Sequence, residues 1–332
     1  MYFPLTPPEE EETAHSLTEQ QQHQTTDMDS RTSLLELTRR LRNYSEQNPS
    51  QLYLPFLCEG QQVSLVGPEA AEHLQKYPDV LTVSQESVVL SPGLDSPQKR
   101  TEGLEKILLD LRDRKIFPSL SAWRNEKYEI KTSFSSKALF EMERSATSLF
   151  GVRVYSCQIN GYVNHSTLGL CLWMQKRSMT QTWPGMMDNF VGGGLPAGMG
   201  VRENAIKEAG EEANVPEHLA AQMKQTGSVS FLREYRGRMH PETVFVFDLE
   251  LPETFSPGNT DGEVESFRLV PVEEVRGLIC CEESFKITSS PVVLDWLVRN
   301  GIVTPETDPD YPAILENIHT PVHQLFSKGN RL

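Results

Sequence analysis

Residues 193–215 read Gly193-Gly-Leu-Pro-Ala-Gly-Met-Gly-Val-Arg-Glu-Asn-Ala-Ile-Lys-Glu-Ala-Gly-Glu-Glu-Ala-Asn-Val215. A glycine-rich turn, with Gly192, Gly193, Gly194, Gly198 and Gly200 around Pro196, opens into a helix that carries Glu208, Glu211 and Glu212. At helical spacing i, i+3 and i+4 the three carboxylates leave from one face. Like charges so placed repel by about 0.2–0.5 kcal/mol per pair. A divalent cation would relieve that repulsion, and ligands that are all oxygen suit a hard ion, Mg²⁺ or Mn²⁺. The plain alternative is a solvated acidic helix face. The adjoining turn favours the metal: glycines let backbone approach a ligand, and N–H groups at a helix start attract phosphate.

This stretch resembles the Nudix box, G-x5-E-x7-R-E-U-x-E-E-x-G-U with U apolar. Gly193, Glu208, Ala209, Glu211, Glu212 and Val215 stand at their positions. Three positions depart from the pattern. Met199 replaces the first Glu, Lys207 replaces Arg, and Asn214 replaces the late Gly. Asn tolerates the left-handed backbone that such a glycine serves. Lys keeps charge but loses the planar fork of Arg. The resemblance implies an α/β fold, a Nudix-type α/β/α sandwich with a mixed sheet, and hydrolysis of a diphosphate linked to an organic group. It implies Glu208, Glu212 and Glu211 as metal ligands, with Glu211 alternatively positioning water and the Gly193 carbonyl contributing. It also implies a further carboxylate from outside the box. Glu263 and Glu265 are the candidates, since residues i and i+2 of a strand share a face; the bland reading is a pair of surface acids.

Substrate contacts are expected from Gly193 and Gly194, from Lys207 and Arg233 (with Arg236 and Arg238 nearby) on the distal phosphate, and from Trp183 against a ring. Trp173 lies in an apolar strand and is expected in the core.

Outward from the box, residues 1–30 are acidic and Gln-rich, a composition that favours disorder. A small α+β unit is expected over 31–135, with a helix from Thr32 to Tyr44, short strands between 52 and 90, and an amphipathic helix through Leu104, Ile107, Leu108 and Leu111. The Nudix-like part is expected over 136–332. It should start with a helix over Ser136–Leu149, continue through strands at 152–163 and 168–175, and after the box hold strands at 227–235, 242–251 and 262–269 and helices from Val272 and Val292. Trp123-Arg124-Asn125-Glu126-Lys127-Tyr128 reads either as an aromatic pair closing the first core or as a stacking surface for a ring. This run, ahead of a Nudix-like part, resembles proteins related to thiamine pyrophosphokinase. That resemblance implies thiamine diphosphate analogues, oxo forms included, as substrates. The kinase part itself is not expected, since little chain follows Asn300. The other readings are a nucleoside-diphosphate-linked hydrolase of ADP-ribose type, and a non-catalytic module that binds a metabolite or a protein.

The net charge of −15 argues against a nucleic-acid surface, so an anionic substrate needs local cations or metal. Five cysteines, odd in number and without C-x-x-C spacing, read as reduced thiols rather than a disulfide framework or zinc site. No apolar run reaches the roughly 18 residues of a membrane span. The start of the chain lacks the early positive charge of a signal or transit peptide, so the cytoplasm is the expected location.

Overall fold

A computed structural model describes residues 32–43 and 53–324. The expectation for residues 1–30 and the end of the first predicted helix at Tyr44 lie outside the described residues. The first helix, α1 (Leu34–Leu41), is capped by Ser33, whose Oγ accepts the Glu36 N–H at 3.1 Å. Two strands follow, β1 (Leu54–Cys58) and β2 (Gln61–Val66), then α2 (Pro68–Leu74), β3 (Leu81–Val83), β4 (Val88–Leu90) and the long α3 (Pro97–Asp113). The four strands form one sheet in the order β2-β1-β4-β3. A two-stranded ribbon comes next, β5 (Lys127–Ile130) with β6 (Phe140–Glu143), and then the short α4 (Thr147–Phe150).

The helix expected over Ser136–Leu149 is therefore replaced by a strand and a single turn of helix. Phe140 and Met142 alternate with Glu141 and Glu143, which is the period of a strand. They pair with β5 and bury their side chains against Phe56 and Leu104. Tertiary pairing overrode a weak helical spacing.

The remainder is built on a mixed seven-stranded sheet. Its members are β7 (Val154–His165), β8 (Gly169–Arg177), β9 (Met187–Asp188), β10 (Val191–Gly194), β11 (Lys224–Tyr235), β12 (Arg238–Glu250) and β13 (Val264–Pro271). The main path runs β11-β12-β7-β8-β13, with β10 beside β7 and β9 beside β8. Only the β12–β7 pair is parallel. On β12, Val244 and Val246 face one layer while Phe247 and Leu249 face the other. The second layer holds α5 (Val201–Ala213), with α6 (Glu217–Ala220) behind it. The first holds α7 (Val272–Ile279), α8 (Ser290–Arg299), α9 (Tyr311–Ile318) and α1. This is the α/β/α sandwich that the resemblance implies. Helix α9 was not anticipated. Among the described residues no helix is long and apolar enough to cross a membrane.

The packing divides the chain differently from a cut at residue 135. Leu34, Leu37 and Leu41 of α1 join the core of the sandwich, beside Trp296 and Ile314. Phe140, Leu149, Phe150 and Val152 close the core of the N-terminal unit. Leu37 is 3% exposed, so Leu37→Ala should destabilise the sandwich by about 2–5 kcal/mol, the usual cost of an emptied core site. Urea unfolding checks this, and a loss below about 1 kcal/mol would show that α1 is not part of that core.

Candidate active site

Helix α5 turns Ala205, Ala209 and Ala213, all fully buried, toward the sheet. Side chains this small let the helix lie close to β10. Glu208 and Glu212, one turn apart, then reach the edge of the glycine turn. Glu212 is 3% exposed; its Oε2 accepts the Gly192 N–H at 3.0 Å and Gln175 Nε2 at 3.2 Å. Burial pushes its carboxyl up to about 8. The Gly192 hydrogen bond opposes the shift, and the charges of Glu208, Asp188 and Glu263 add to it. The Glu208 carboxyl is also raised, first by burial, with Lys207 opposing. Asn214 ends the helix at φ 51°, the left-handed conformation expected from its place in the box.

The other box residues point elsewhere. Glu211 is half exposed and pairs with Lys207 at 2.6 Å, four residues back on the helix. Lys207 also sits 3.4 Å from Glu208, so it faces the outer side of the acids rather than the cleft. The expectation of Glu211 in the metal set and of Lys207 on a phosphate is thus not met by their placement. Their side chains pair with each other along the solvent side of α5. Met199 lies in the turn that precedes α5, its N–H donating to Pro196 O at 3.2 Å. Like Lys207 it does not line the cleft.

Gly193 and Gly194 do line the cleft, but a ligand is not what requires them to be glycine. A Cβ on Gly193 would run into the Glu208 carboxylate, and one on Gly194 into the Tyr128 hydroxyl. The N-terminus of α5 is likewise occupied, since Glu203 Oε2 accepts the Gly200 N–H at 3.3 Å.

Glu263 and Glu265 do not share a face. Glu263 precedes β13 and lines the cleft with Glu212, its Oε1 accepting Arg124 Nη1 at 3.0 Å. Glu265 falls where the β13–β8 register slips, and pairs outward with Lys176 at 2.7 Å. The bulge adds a residue and breaks the two-residue period that placed both acids inward.

The cleft encloses about 410 Å³. It continues past Ser119, Thr182, His240 and Glu242 into a cavity of about 910 Å³ walled by Trp183, Pro184, Phe231 and Tyr235. Arg233 lies 5.2 Å from the Trp183 ring and 4.7 Å from the Tyr235 ring. Arg233, expected on the distal phosphate, and Trp183, expected against a ring, thus lie together in this second cavity rather than beside the acids. Trp183 itself has φ 59°, a strained backbone for a bulky residue. Its loop is tied down by Arg177, which donates to Thr182 O at 2.7 Å and pairs with buried Asp188 at 2.8 Å. Lys286 pairs with the same Asp188 oxygen at 2.9 Å. Burial pushes the Asp188 carboxyl up, but the two cations outweigh it and hold it below the usual range. Arg233 Nε and His240 Nε2 are buried without a hydrogen-bond partner. Burial and the neighbouring arginines Arg233 and Arg238 push the His240 imidazole down to about 4, so it is neutral at pH 7. Trp173, expected in the core, is only partly buried; it packs beside Phe267 and borders a third, separate pocket away from both cavities.

Sequence reasoning singled out the Trp123–Tyr128 run but missed Arg144, Arg177, Asp188, Glu242, His240 and Lys286, all of which border these cavities or hold their walls. Trp123 packs on the first core with Arg112 over its ring at 4.8 Å, while Arg124 and Tyr128 reach the cleft.

Among the described residues no group of three His, Cys, Asp or Glu side chains is already drawn together as a metal cage. Mg²⁺ rarely uses such a cage; it keeps waters and takes one or two carboxylates together with substrate phosphates. Glu212, buried with no Lys or Arg paired to it among the described residues, and Glu208 beside it supply that chemistry. The residues fit a hard divalent ion.

A carboxyl raised in the fold stabilises it fully below its unfolded value and loses that contribution as pH rises through the folded value. For Glu212 the window runs from the ordinary glutamate range to about 8. Without divalent metal, Glu212→Gln should therefore gain thermal stability relative to the parent chain as pH rises from 5 to 8.5. Melting curves in EDTA check this, and a pH-independent difference would contradict the burial argument.

Two family models match the chain. One, described as a domain of unknown function (DUF4743), covers residues 33–154, and the NUDIX domain covers 163–288. Nudix hydrolase 24, chloroplastic, of Arabidopsis thaliana is 38% identical over 258 residues, 77% of this chain and 70% of that protein. Nudix hydrolase 20, chloroplastic, from the same plant is 37% identical over 265 residues, with the same coverage. Among solved structures, the NUDIX domain of Shewanella oneidensis NrtR complexed with ADP ribose aligns at 12% identity with a TM-score of 0.36, over 46% of this chain and 90% of that one. The box on α5, the sandwich that carries it, and relatives of this identity and coverage make the chain a member of the Nudix hydrolase family, with a DUF4743 domain ahead of its Nudix domain.

Proposed function

We propose that the protein is a divalent-metal-dependent hydrolase, with Mg²⁺ as its ion, that cleaves the diphosphate of thiamine diphosphate analogues to leave a monophosphate. The observation that carries this reading is the buried, cation-starved Glu212 at one end of a cleft that opens into an aromatic cavity. Glu208, Glu212 and Glu263 would hold the ion, which supplies charge neutralisation at phosphate and acidifies an attacking water. The protein's own groups do the rest. Glu212 stays in place through Gly192 and Gln175, and Arg124 orients Glu263. The organic group would lie in the cavity walled by Trp183, Pro184, Phe231 and Tyr235.

The departures at Met199 and Lys207 leave in place Glu212 and Glu263, the acids of this set that line the cleft. The charge of the cavity bears on the substrate. Arg233, Arg236 and Arg238 line it and oppose a cationic thiazolium. An oxo analogue, whose thiazole ring carries no positive charge, escapes that opposition. The same aromatic and guanidinium wall also accepts an adenine ring, which makes ADP-ribose the second substrate to assay.

The test is a panel of oxothiamine, oxythiamine and unmodified thiamine diphosphates and ADP-ribose, each with and without Mg²⁺, scored by phosphate and monophosphate release. Release from the oxo analogue in Mg²⁺ alone is expected. Preference for ADP-ribose would replace the substrate, and no release from any member would leave a binding module. Glu212→Gln should lower turnover about a hundredfold or more while far-ultraviolet circular dichroism stays unchanged; undiminished turnover would remove Glu212 from the metal set.

A further inference from the structure

The cleft has a charge problem that the Nudix domain does not solve with its own side chains. Glu208, Glu212 and Glu263 together outweigh one divalent ion, and a diphosphate adds more negative charge. Lys207 faces outward. Arg177 and Lys286 are taken up by Asp188. Arg233 and Arg236 stack on aromatic rings in the far cavity.

The geometry points to the N-terminal unit as the source of the missing cations: Arg144, with Arg124, grips the substrate's diphosphate, and the active site is complete only with that unit docked. This rests on the diphosphate reading above. Both arginines line the cleft and both belong to the DUF4743 match at 33–154.

Arg144 directly follows β6. It is 41% exposed, with Nη1 on Glu126 Oε1 at 3.1 Å and its guanidinium 5.8 Å from the Tyr128 ring. It lines the cleft together with Glu212, Glu242 and Glu263, and its charge opposes the upward shift of the Glu208 and Glu242 carboxyls. Arg124 is 38% exposed and spans Glu263 and Gln181, at 3.0 Å each. A guanidinium presents five donors in a planar fork, which suits phosphate oxygens.

The unit is held in register by backbone. The Ala197 N–H of the glycine turn donates to Lys127 O at 2.8 Å, and the Tyr128 hydroxyl fills the space that Gly194 leaves. The arginines are therefore fixed before substrate arrives, which is what makes such contacts effective.

A purely structural Arg144, pinned by Glu126 and Tyr128, would affect melting but not anion binding. The test is calorimetric titration of the full chain with imidodiphosphate, which is not hydrolysed, in Mg²⁺, alongside titration with Mg²⁺ alone. Arg144→Ala should weaken imidodiphosphate by about tenfold or more, as expected for lost charge-assisted hydrogen bonds. Arg144→Lys should weaken it less, with Mg²⁺ affinity unchanged, and Arg124→Ala, which also releases Glu263, should weaken it several-fold beyond any change in Mg²⁺ affinity. If Arg144→Ala does not fold, the other two variants carry the test. Parent-like imidodiphosphate binding in all folded variants overturns the proposal and leaves the diphosphate reading standing. No imidodiphosphate binding by the parent chain overturns both.

Discussion

Glu212 is a carboxylate that the fold buries without giving it a cation, and the arrangement around it follows from that. An ionised group taken out of water without a partner is costly, and a protein ordinarily meets the cost by pairing or by keeping the proton. Here one backbone N–H and one amide are its hydrogen-bond partners, and the carboxyl is pushed up to about 8. Nearby Asp188, equally buried, is held by Arg177 and Lys286 and goes the other way. Two buried acids in one neighbourhood are thus tuned apart. One is a paired structural anchor, and the other is stabilised by any hard cation that reaches it. The alanine face of α5 makes this arrangement possible, because a larger side chain at Ala205 or Ala209 would lift the acids away from β10.

The two units meet at the glycine turn. Gly194 there gives way to Tyr128 of β5; within the Nudix domain Gly193 gives way to Glu208, and within the N-terminal unit Gly151, at φ 56°, lies against Leu65 O of β2. Glycine is used in these places for close packing of chain on chain more than for ligand approach. Because the N-terminal unit contributes to the cleft wall, its strands and helices are read more naturally as part of the site than as an appended module.

Much of this was legible in the residues. β12 was read from alternating side chains, β8 from an apolar run, α5 from its carboxylate spacing, and the left-handed end of that helix from Asn214. These are local properties. Where distant segments decide the outcome, the reading failed. The stretch through Phe140 and Met142 became a strand because β5 was there to pair with it. Glu265 turned outward because the partner strand forced a bulge. Lys207 and Glu211 found each other along the helix surface, a pairing that their spacing allowed and that the box pattern obscured. Arg144, Lys286 and Asp188 carry no local signal at all, since only the fold brings residues so far apart to one cleft.

The most direct test of the central claim is a proton count. If Glu212 holds its proton in the metal-free protein, a cation that binds it must expel that proton. Calorimetric titration of Mg²⁺ at pH 7, repeated in buffers of different ionisation enthalpy, should show roughly one proton released per ion bound, falling toward zero in Glu212→Gln. Mg²⁺ binding by the parent chain with no proton release would contradict the account.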